Sequence, residues 1–380
     1  MDWRVPLADL DYGEQEEEAV LKVLRSKWLT MGAVTQEFEA QFAASVGTRH
    51  ALAVSNATEA LHLACLALGI GPGDEVITPS LSFVATSNAV LYTGADVRLA
   101  DVIGPRELTI DPQEIERRIT SRTKAIIVMH YAGYPCRMEE ILSIANRHGL
   151  PVIEDAAHAP GASLKGKSLG TWGAVGCFSF FSNKNLSTGE GGMLVTDRED
   201  IAEKIRLQRS HGMTSLTYDR HQGRAYSYDV VDLGYNYRID EIRSALGLVQ
   251  LAKLNANNAL RKTWTERYWL KLSGAGVELP FQDTVKAGVK PAYHIFPMLL
   301  PKGANRKAFI DAMRAEKIQT SIHYPPTHRF TYYRGRYGDL SLPRTEEIAN
   351  REVTLPLYPG MGEELVDLVV SAVAHALEII

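Results

Sequence analysis

The sequence predicts an α/β fold: a mostly parallel, seven-stranded sheet sandwiched by helices, followed by a smaller α+β domain. Three observations point there. Seven apolar runs, near residues 50–54, 75–78, 97–100, 124–129, 151–153, 175–181 and 193–196, read as strands buried on both faces. Helical stretches near 57–68, 82–93, 111–119, 137–148 and 199–210 alternate with them, as crossovers between parallel strands must. At 380 residues, 45% hydrophobic and 23% charged, the chain can bury a large core and divide into a major and a minor domain.

Taken in order, residues 14–26 and 36–46 show helical spacing of apolar positions (Val20, Val23, Leu24; Phe38, Phe42) with Gly32 between them, and form an N-terminal arm. Asp111-Pro112 is an N-cap and first-turn pair. After Asn236 a long helix carries Ile242, Leu246, Val249, Leu251 and Leu254, and beyond about residue 260 the elements shorten and Pro and Tyr become more frequent. The expected division is a large domain over 1–250, including the arm, and a small C-terminal domain over 251–380. There is no internal repeat and no low-complexity tract.

A formal net charge of −4 supplies no basic excess to neutralise phosphates, which excludes nucleic acid as the main partner. The acidic N-terminal region lacks the order of a signal peptide, no apolar run is long enough to span a bilayer, and Cys65, Cys136 and Cys177 stand far apart. The expectation is a cytoplasmic protein without membrane contact or metal site.

Chemistry concentrates at strand ends. The run Val175 to Phe181 leads into Lys184 and then into Gly189, Gly191 and Gly192, so the lysine sits at the C-terminal mouth of a core strand, where α/β sheets bind ligands. A partly desolvated lysine amine loses some preference for its charged form, which suits Schiff-base formation with an aldehyde. Strand-end lysines are common, so the neighbouring motifs have to carry the reading. Ser55-Asn56-Ala57-Thr58 follows a strand and opens a helix, presenting first-turn amides and the Thr58 hydroxyl to an anion. Phe83, just past a strand end, can stack on a planar ring or join the core. Val152-Ile-Glu154-Asp155 ends a strand in two carboxylates that point to opposite faces, so one of them reaches a shared ligand, with His158 three residues on. Metal binding is weak, because Asp155 and His158 lack a third ligand at a recognisable spacing.

Phosphate-type helix start, aromatic plate, terminal Asp, then Lys with Ser179 five residues before it: this order describes pyridoxal 5'-phosphate held at phosphate, ring face, ring nitrogen and aldehyde. No Gly-x-Gly-x-x-Gly follows the first strand, so dinucleotide binding fails.

With these motifs, and with Leu29-Thr-Met-Gly32, Pro79-Ser-Leu-Ser-Phe83, Gly234-Tyr-Asn236-Tyr-Arg238 and His323-Tyr324-Pro-Pro-Thr-His328, the chain resembles the DegT/DnrJ/EryC1/StrS family of sugar aminotransferases along nearly its whole length. The resemblance implies a fold-type I aminotransferase. It implies that Lys184 bonds the cofactor aldehyde and then moves the proton between substrate and cofactor, that Asp155 pairs with the pyridine nitrogen, that Phe83 stacks on the ring and that His158 lies near the ring hydroxyl. Ala57, Thr58 and Ser179 would hold the phosphate, and Asn236 would reach the phosphate of a neighbouring subunit in a homodimer with shared active sites. His158 stands where many relatives have glutamine, and Ser182-Asn183 where many have a proline and threonine or a similar pair.

The substrates implied are glutamate as donor and a nucleotide-linked keto-sugar as acceptor, with the Gly-Glu-Gly-Gly form at 189–192 resembling enzymes that aminate C4 of a 4-keto-6-deoxy sugar. Two basic clusters, Arg220, His221, Arg224, Arg238 and His323, His328, Arg334, Arg336, could meet a diphosphate, and the expected substrate contacts are Arg238, His323, Tyr324 and His328. Transamination of a keto-cyclitol is the alternative within the fold. A non-catalytic regulatory relative is the alternative outside catalysis, and the intact Lys184 and Asp155 argue against it.

Overall fold

A computed structural model describes the protein over residues 3–215 and 217–380. Seven strands form the main sheet: β1 (His50–Val54), β2 (Glu75–Pro79), β3 (Asp96–Ala100), β4 (Thr123–Met129), β5 (Val152–Asp155), β6 (Val175–Ser179) and β7 (Gly192–Thr196). Their order across the sheet is β1-β7-β6-β5-β4-β2-β3. β7 runs antiparallel to both its neighbours and the remaining pairs are parallel. The C-terminal ends of β1, β2, β4, β5 and β6 and the first residue of β7 therefore meet at one sheet edge.

The strands are mostly apolar because helices cover both faces. Leu52, Ile127, Ile153, Cys177 and Leu194 pack against Leu61 and Ala64 of the helix Ala57–Ala67 and Ile201 and Ile205 of the helix Glu199–Gln208. Alternate residues Ala51, Ala53, Phe178, Met193 and Val195 face Phe38 and Phe42 of the helix Ala33–Val46, while Ile126 and Val128 face Ile141 and Ile144 of the helix Met138–Arg147. The period-two split between faces is what a pleated strand dictates. The crossover helices lie where the periodicity predicts them, with one adjustment: the helix expected from residue 82 begins at Ala85, leaving Ser82 and Phe83 in the turn after β2. Asp111 does cap its helix, its carboxylate accepting from Gln113 N at 2.9 Å with Pro112 in the first turn.

The long helix spans Glu241–Leu272, so residue 250, the expected domain boundary, lies inside one continuous element. It packs on the N-terminal helices Glu14–Ser26 and Ala33–Val46 and on the C-terminal helix Gly362–Leu377. Glu241 fixes its start: the carboxylate accepts from the amides of Gly32, Val34 and Thr35 and from the Thr35 hydroxyl at 2.7–2.9 Å, so a buried anion sits at the positive end of a helix two hundred residues earlier. At Gly247 a Cβ would lie 2.5 Å from the Phe38 ring, so this position must stay bare for the two helices to close. The smaller unit pairs Phe296–Leu299 antiparallel with Glu352–Leu355 and buries Phe296, Phe309 and Val366 with Tyr268. Val5 bridges to Ile318, tying the N-terminus to this unit. Two short pairings had no clear sequence signal, Val102–Gly104 with Glu107–Ile110, and Ser163–Leu164 with Lys167–Ser168.

Candidate active site

A cavity of about 620 Å³ opens at the sheet edge, bordered by Ser55 to Thr58, Phe83, Asp155, His158, Ser179, Lys184, His323 and Tyr324. A larger cleft of about 850 Å³ between residues 103–107, 135–140 and 281–286 is lined by none of the expected site residues.

Register explains the convergence. Val54 and Ser179 both pair with Gly192, so the ends of β1, β7 and β6 form one row. Asp155 pairs with Cys177 and Met129 one step below. A Cβ on Gly192 would come within 2.8 Å of Ala57 N, so only glycine lets β7 start beside the helix N-terminus. Asn56 caps that helix through Glu59 N at 2.9 Å. The amides of Ala57 and Thr58 then have no acceptor within the helix and face the cavity edge beside Ser179.

Asp155 is 4% exposed. Its carboxylate accepts from the Thr86 hydroxyl at 2.7 Å and from Ala157 N at 3.1 Å. Burial raises its pKa, with those two bonds, Lys184 and His130 acting the other way. Glu154 points to the opposite face, where it binds the amides of Gly170 and Gly173 at 2.7 and 2.6 Å and meets His130 Nε2 at 2.9 Å, so Asp155 is the carboxylate available to the cavity.

Past β6 the chain folds into a closed loop. Phe180 N donates to Gly191 O, Thr188 N to Phe180 O and Lys184 N to Phe181 O, each at 2.8 Å, and Gly189 takes φ +80°. This loop sets Lys184 against the cavity. Burial pulls its amine down to about 8, against the pull of Asp155. Nζ lies 3.4 Å from His294 Nε2.

His158 is buried beside them. Its Nδ1 accepts from Ala132 N at 3.2 Å, so the neutral ring carries its proton on Nε2 and donates to the Tyr324 hydroxyl at 2.9 Å. No lone pair remains on His158 for a metal, and the Tyr324 hydroxyl keeps its own hydrogen to donate. Burial holds the ring well below the usual histidine range. His323 is held close by: its Nδ1 lies 2.8 Å from Thr354 Oγ1, which in turn bonds one Glu352 oxygen at 2.5 Å, while His323 N donates to the other Glu352 oxygen at 2.8 Å. Burial and Lys184 push His323 down to about 3. Phe83 stands 55% exposed on the cavity wall, its ring centroid 5.8 Å from that of Tyr324.

Three of the residues singled out lie elsewhere. Asn236 is exposed and bridges to Ser210, Arg238 donates to the Ser210 hydroxyl at 3.1 Å, and His328 is buried between the Ser80 hydroxyl at 2.7 Å and Glu346 at 3.0 Å. The expected cation clusters are also used structurally. Arg334 pairs with Asp339 at 3.0 Å, Arg336 with Asp96 at 2.8 Å, and Arg220 lies over the Tyr228 ring at 4.6 Å. Within those two clusters His323 is the member on the cavity wall. Sequence reasoning missed Arg243 on the wall, Thr86 behind Asp155 and His294 against Lys184. The signal for His294 was one titratable residue placed before the apolar run Ile295 to Leu300.

The donor set fits pyridoxal phosphate. Asp155 is a buried carboxylate that, among the described residues, forms no ion pair, and a protonated ring nitrogen would supply the missing cation. Unpaired first-turn amides and the Ser179 hydroxyl suit a phosphate. An amine near neutrality suits an aldehyde.

Residues 10–374 match the model of the DegT/DnrJ/EryC1/StrS aminotransferase family. The chain is 40% identical to an uncharacterized protein of Methanocaldococcus jannaschii over 95% of its own length and 94% of the relative's. It superimposes on DesV of S. venezuelae, solved in complex with a ketimine intermediate, with TM-score 0.90, 34% identity and full coverage of both chains (100% each). It is also similar to the PLP-form of Spr1654 of Streptococcus pneumoniae, a protein assigned as a sugar aminotransferase, with TM-score 0.91, 26% identity and 98% coverage of both.

Proposed function

Because the chain belongs to the DegT/DnrJ/EryC1/StrS aminotransferase family and is therefore an aminotransferase, we propose that it uses pyridoxal phosphate to move an amino group from glutamate to a nucleotide-linked keto-sugar, a 4-keto-6-deoxy sugar in the first instance. The observation that carries this reading is the meeting, in one cavity, of the Lys184 amine brought to about 8, the buried Asp155 carboxylate and a helix N-terminus with unpaired amides. Bound there, the cofactor supplies an electron sink for the carbon that gains or loses the amino group.

The protein's share follows from its own residues. Lys184 Nζ would supply the amine for the cofactor aldehyde and, when free, would take and return the proton at the substrate carbon, a task suited to a group titrating near working pH. Asp155 would keep the ring nitrogen protonated. Ala57, Thr58 and Ser179 would hold the phosphate, Phe83 would cover the ring, and the His158–Tyr324 pair would offer a hydrogen to the ring hydroxyl.

A homodimer completes the reading. Tyr226 is 99% exposed and Leu233 77%, and with Tyr228, Val230 and Val231 they place five exposed large apolar side chains, interspersed with Ser227, Asp229 and Asp232, in the segment before the exposed Asn236. Exposed apolar side chains gathered in one segment suit burial against a second copy, which would carry Asn236 toward a neighbouring phosphate site. Three buried free cysteines suit a reducing compartment, and the cytoplasm is the proposed location. Among the described residues no helix is long and apolar enough to cross a membrane.

One observation favours a second acceptor. Of the arginines expected to meet a diphosphate, Arg238, Arg334 and Arg336 are engaged away from the cavity, which suits a keto-cyclitol without one. A panel of nucleotide-linked keto-sugars and free keto-cyclitols, offered with glutamate and read by product mass, tests the reading. Amination of a nucleotide-linked keto-sugar supports it. Efficient amination of keto-cyclitols, with every nucleotide-linked sugar ignored, overturns it.

A further inference from the structure

His294 lies just before the strand Phe296–Leu299 and is 3% exposed. Its backbone is pinned at both ends, N donating to Ala132 O at 2.9 Å and O accepting from Arg261 Nη1 at 3.1 Å. The ring is held by a chain of side-chain amides whose orientation has one self-consistent solution. Asn258 Nδ2 donates to Pro160 O at 2.9 Å, which turns Asn258 Oδ1 toward Asn185. Asn185 Nδ2 donates to that oxygen and to Ala292 O, both at 2.7 Å. Asn185 Oδ1 is thereby left facing His294 Nδ1 at 2.9 Å. An amide oxygen only accepts, so Nδ1 must carry the ring proton, and in a neutral imidazole Nε2 is then the acceptor. That nitrogen is the one facing Lys184 Nζ at 3.4 Å. The chain depends on Gly161, where a Cβ would lie 2.7 Å from Asn258 Nδ2.

We propose that His294 is a positioning residue for Lys184: its tautomer, fixed from behind by Asn185 and Asn258, presents a permanent acceptor that holds the lysine amine at the cavity whenever the amine is not bonded to the cofactor. The charged groups facing this pair agree with a neutral ring. His158 lies 4.3 Å away ring to ring, and Arg261, His323 and Lys184 all disfavour a second proton on His294, which burial also opposes. For the amine itself, burial disfavours charge and Asp155 favours it. A neutral acceptor bonds an ammonium more strongly than an amine, so His294 works with Asp155 to keep the amine from losing its proton too early. The inference rests on the proposed role of Lys184.

The test is a pH titration of Lys184 acylation by acetic anhydride in the cofactor-free full-length chain, read by peptide mass spectrometry. The wild-type midpoint is expected near about 8. His294→Asn keeps a donor for Asn185 but stops short of Lys184, and its midpoint should fall by about one pH unit. His294→Gln carries an acceptor to the position of Nε2 and should restore the wild-type midpoint. Circular dichroism checks that both variants remain folded. An Asn variant that titrates with the wild type, or a Gln variant that titrates with the Asn variant, overturns the proposal. The underlying reading of Lys184 fails separately, if the wild-type chain takes up pyridoxal phosphate without bonding it at Lys184.

Discussion

The Thr86 hydroxyl donates to the Asp155 carboxylate across 2.7 Å, and Ser82 meets Thr86 at 2.5 Å from the turn before the helix. A carboxylate buried at a sheet edge is thereby held in place and kept closer to its charged form. Thr86→Val removes that bond at nearly constant volume. A hydrogen bond to a charged group contributes about 1.5–3 kcal/mol, so kcat is expected to fall about tenfold with little change in KM for the acceptor. Thr86→Ser should recover most of the loss in steady-state assays.

Lys184→Ala removes the one lysine among the described residues of the cavity wall. Turnover should drop by at least about 10³-fold, and the chain should no longer bond pyridoxal phosphate covalently. Lys184 is a loop residue outside the apolar core, so the thermal melt should match that of the wild type within a few degrees.

Asn236 tests the shared active site. Mixing inactive Lys184→Ala chains with an inactive Asn236→Ala variant should recover up to about a quarter of wild-type activity if subunits exchange freely, since each hybrid dimer then contains one site with both residues intact. No recovery after verified exchange would place Asn236 outside the partner's site.

Glu352 gives a pH signature. Burial behind His323 pushes its carboxyl up to about 8 from 4.5. Between those values the folded chain retains a proton that the unfolded chain has released, so stability declines as pH rises through this window. Glu352→Gln removes the decline. Its Tm relative to wild type should improve by about 2 °C or more between pH 6 and pH 9. A difference independent of pH would show that Glu352 is charged in the fold throughout.

Much of this was legible in the sequence for definite reasons. Strands buried on both faces read as unbroken apolar runs, and residues at their ends, such as Thr58, Asp155, Ser179 and Lys184, inherit a common edge from the parallel order. The reversed direction of β7 was not legible, since Gly192–Thr196 is buried at every position and looks the same in either direction. His294 reads as part of a core strand, because its partner Lys184 lies 110 residues earlier and they meet only in the folded chain. Glu241 likewise caps a helix far from it in sequence. The ion pairs of the late arginines were hidden for a related reason. Arg334 and Arg336 find carboxylates on the surface, and spacing cannot distinguish such pairs from a substrate site.

The central claim is that Lys184 carries the cofactor. Borohydride reduction of the pyridoxal phosphate-loaded wild-type chain, followed by peptide mass spectrometry, tests it most directly. The account predicts the reduced cofactor on the peptide containing Lys184 and on no other lysine in stoichiometric amount. Cofactor fixed elsewhere, or a fully active enzyme with none fixed at Lys184, would contradict it.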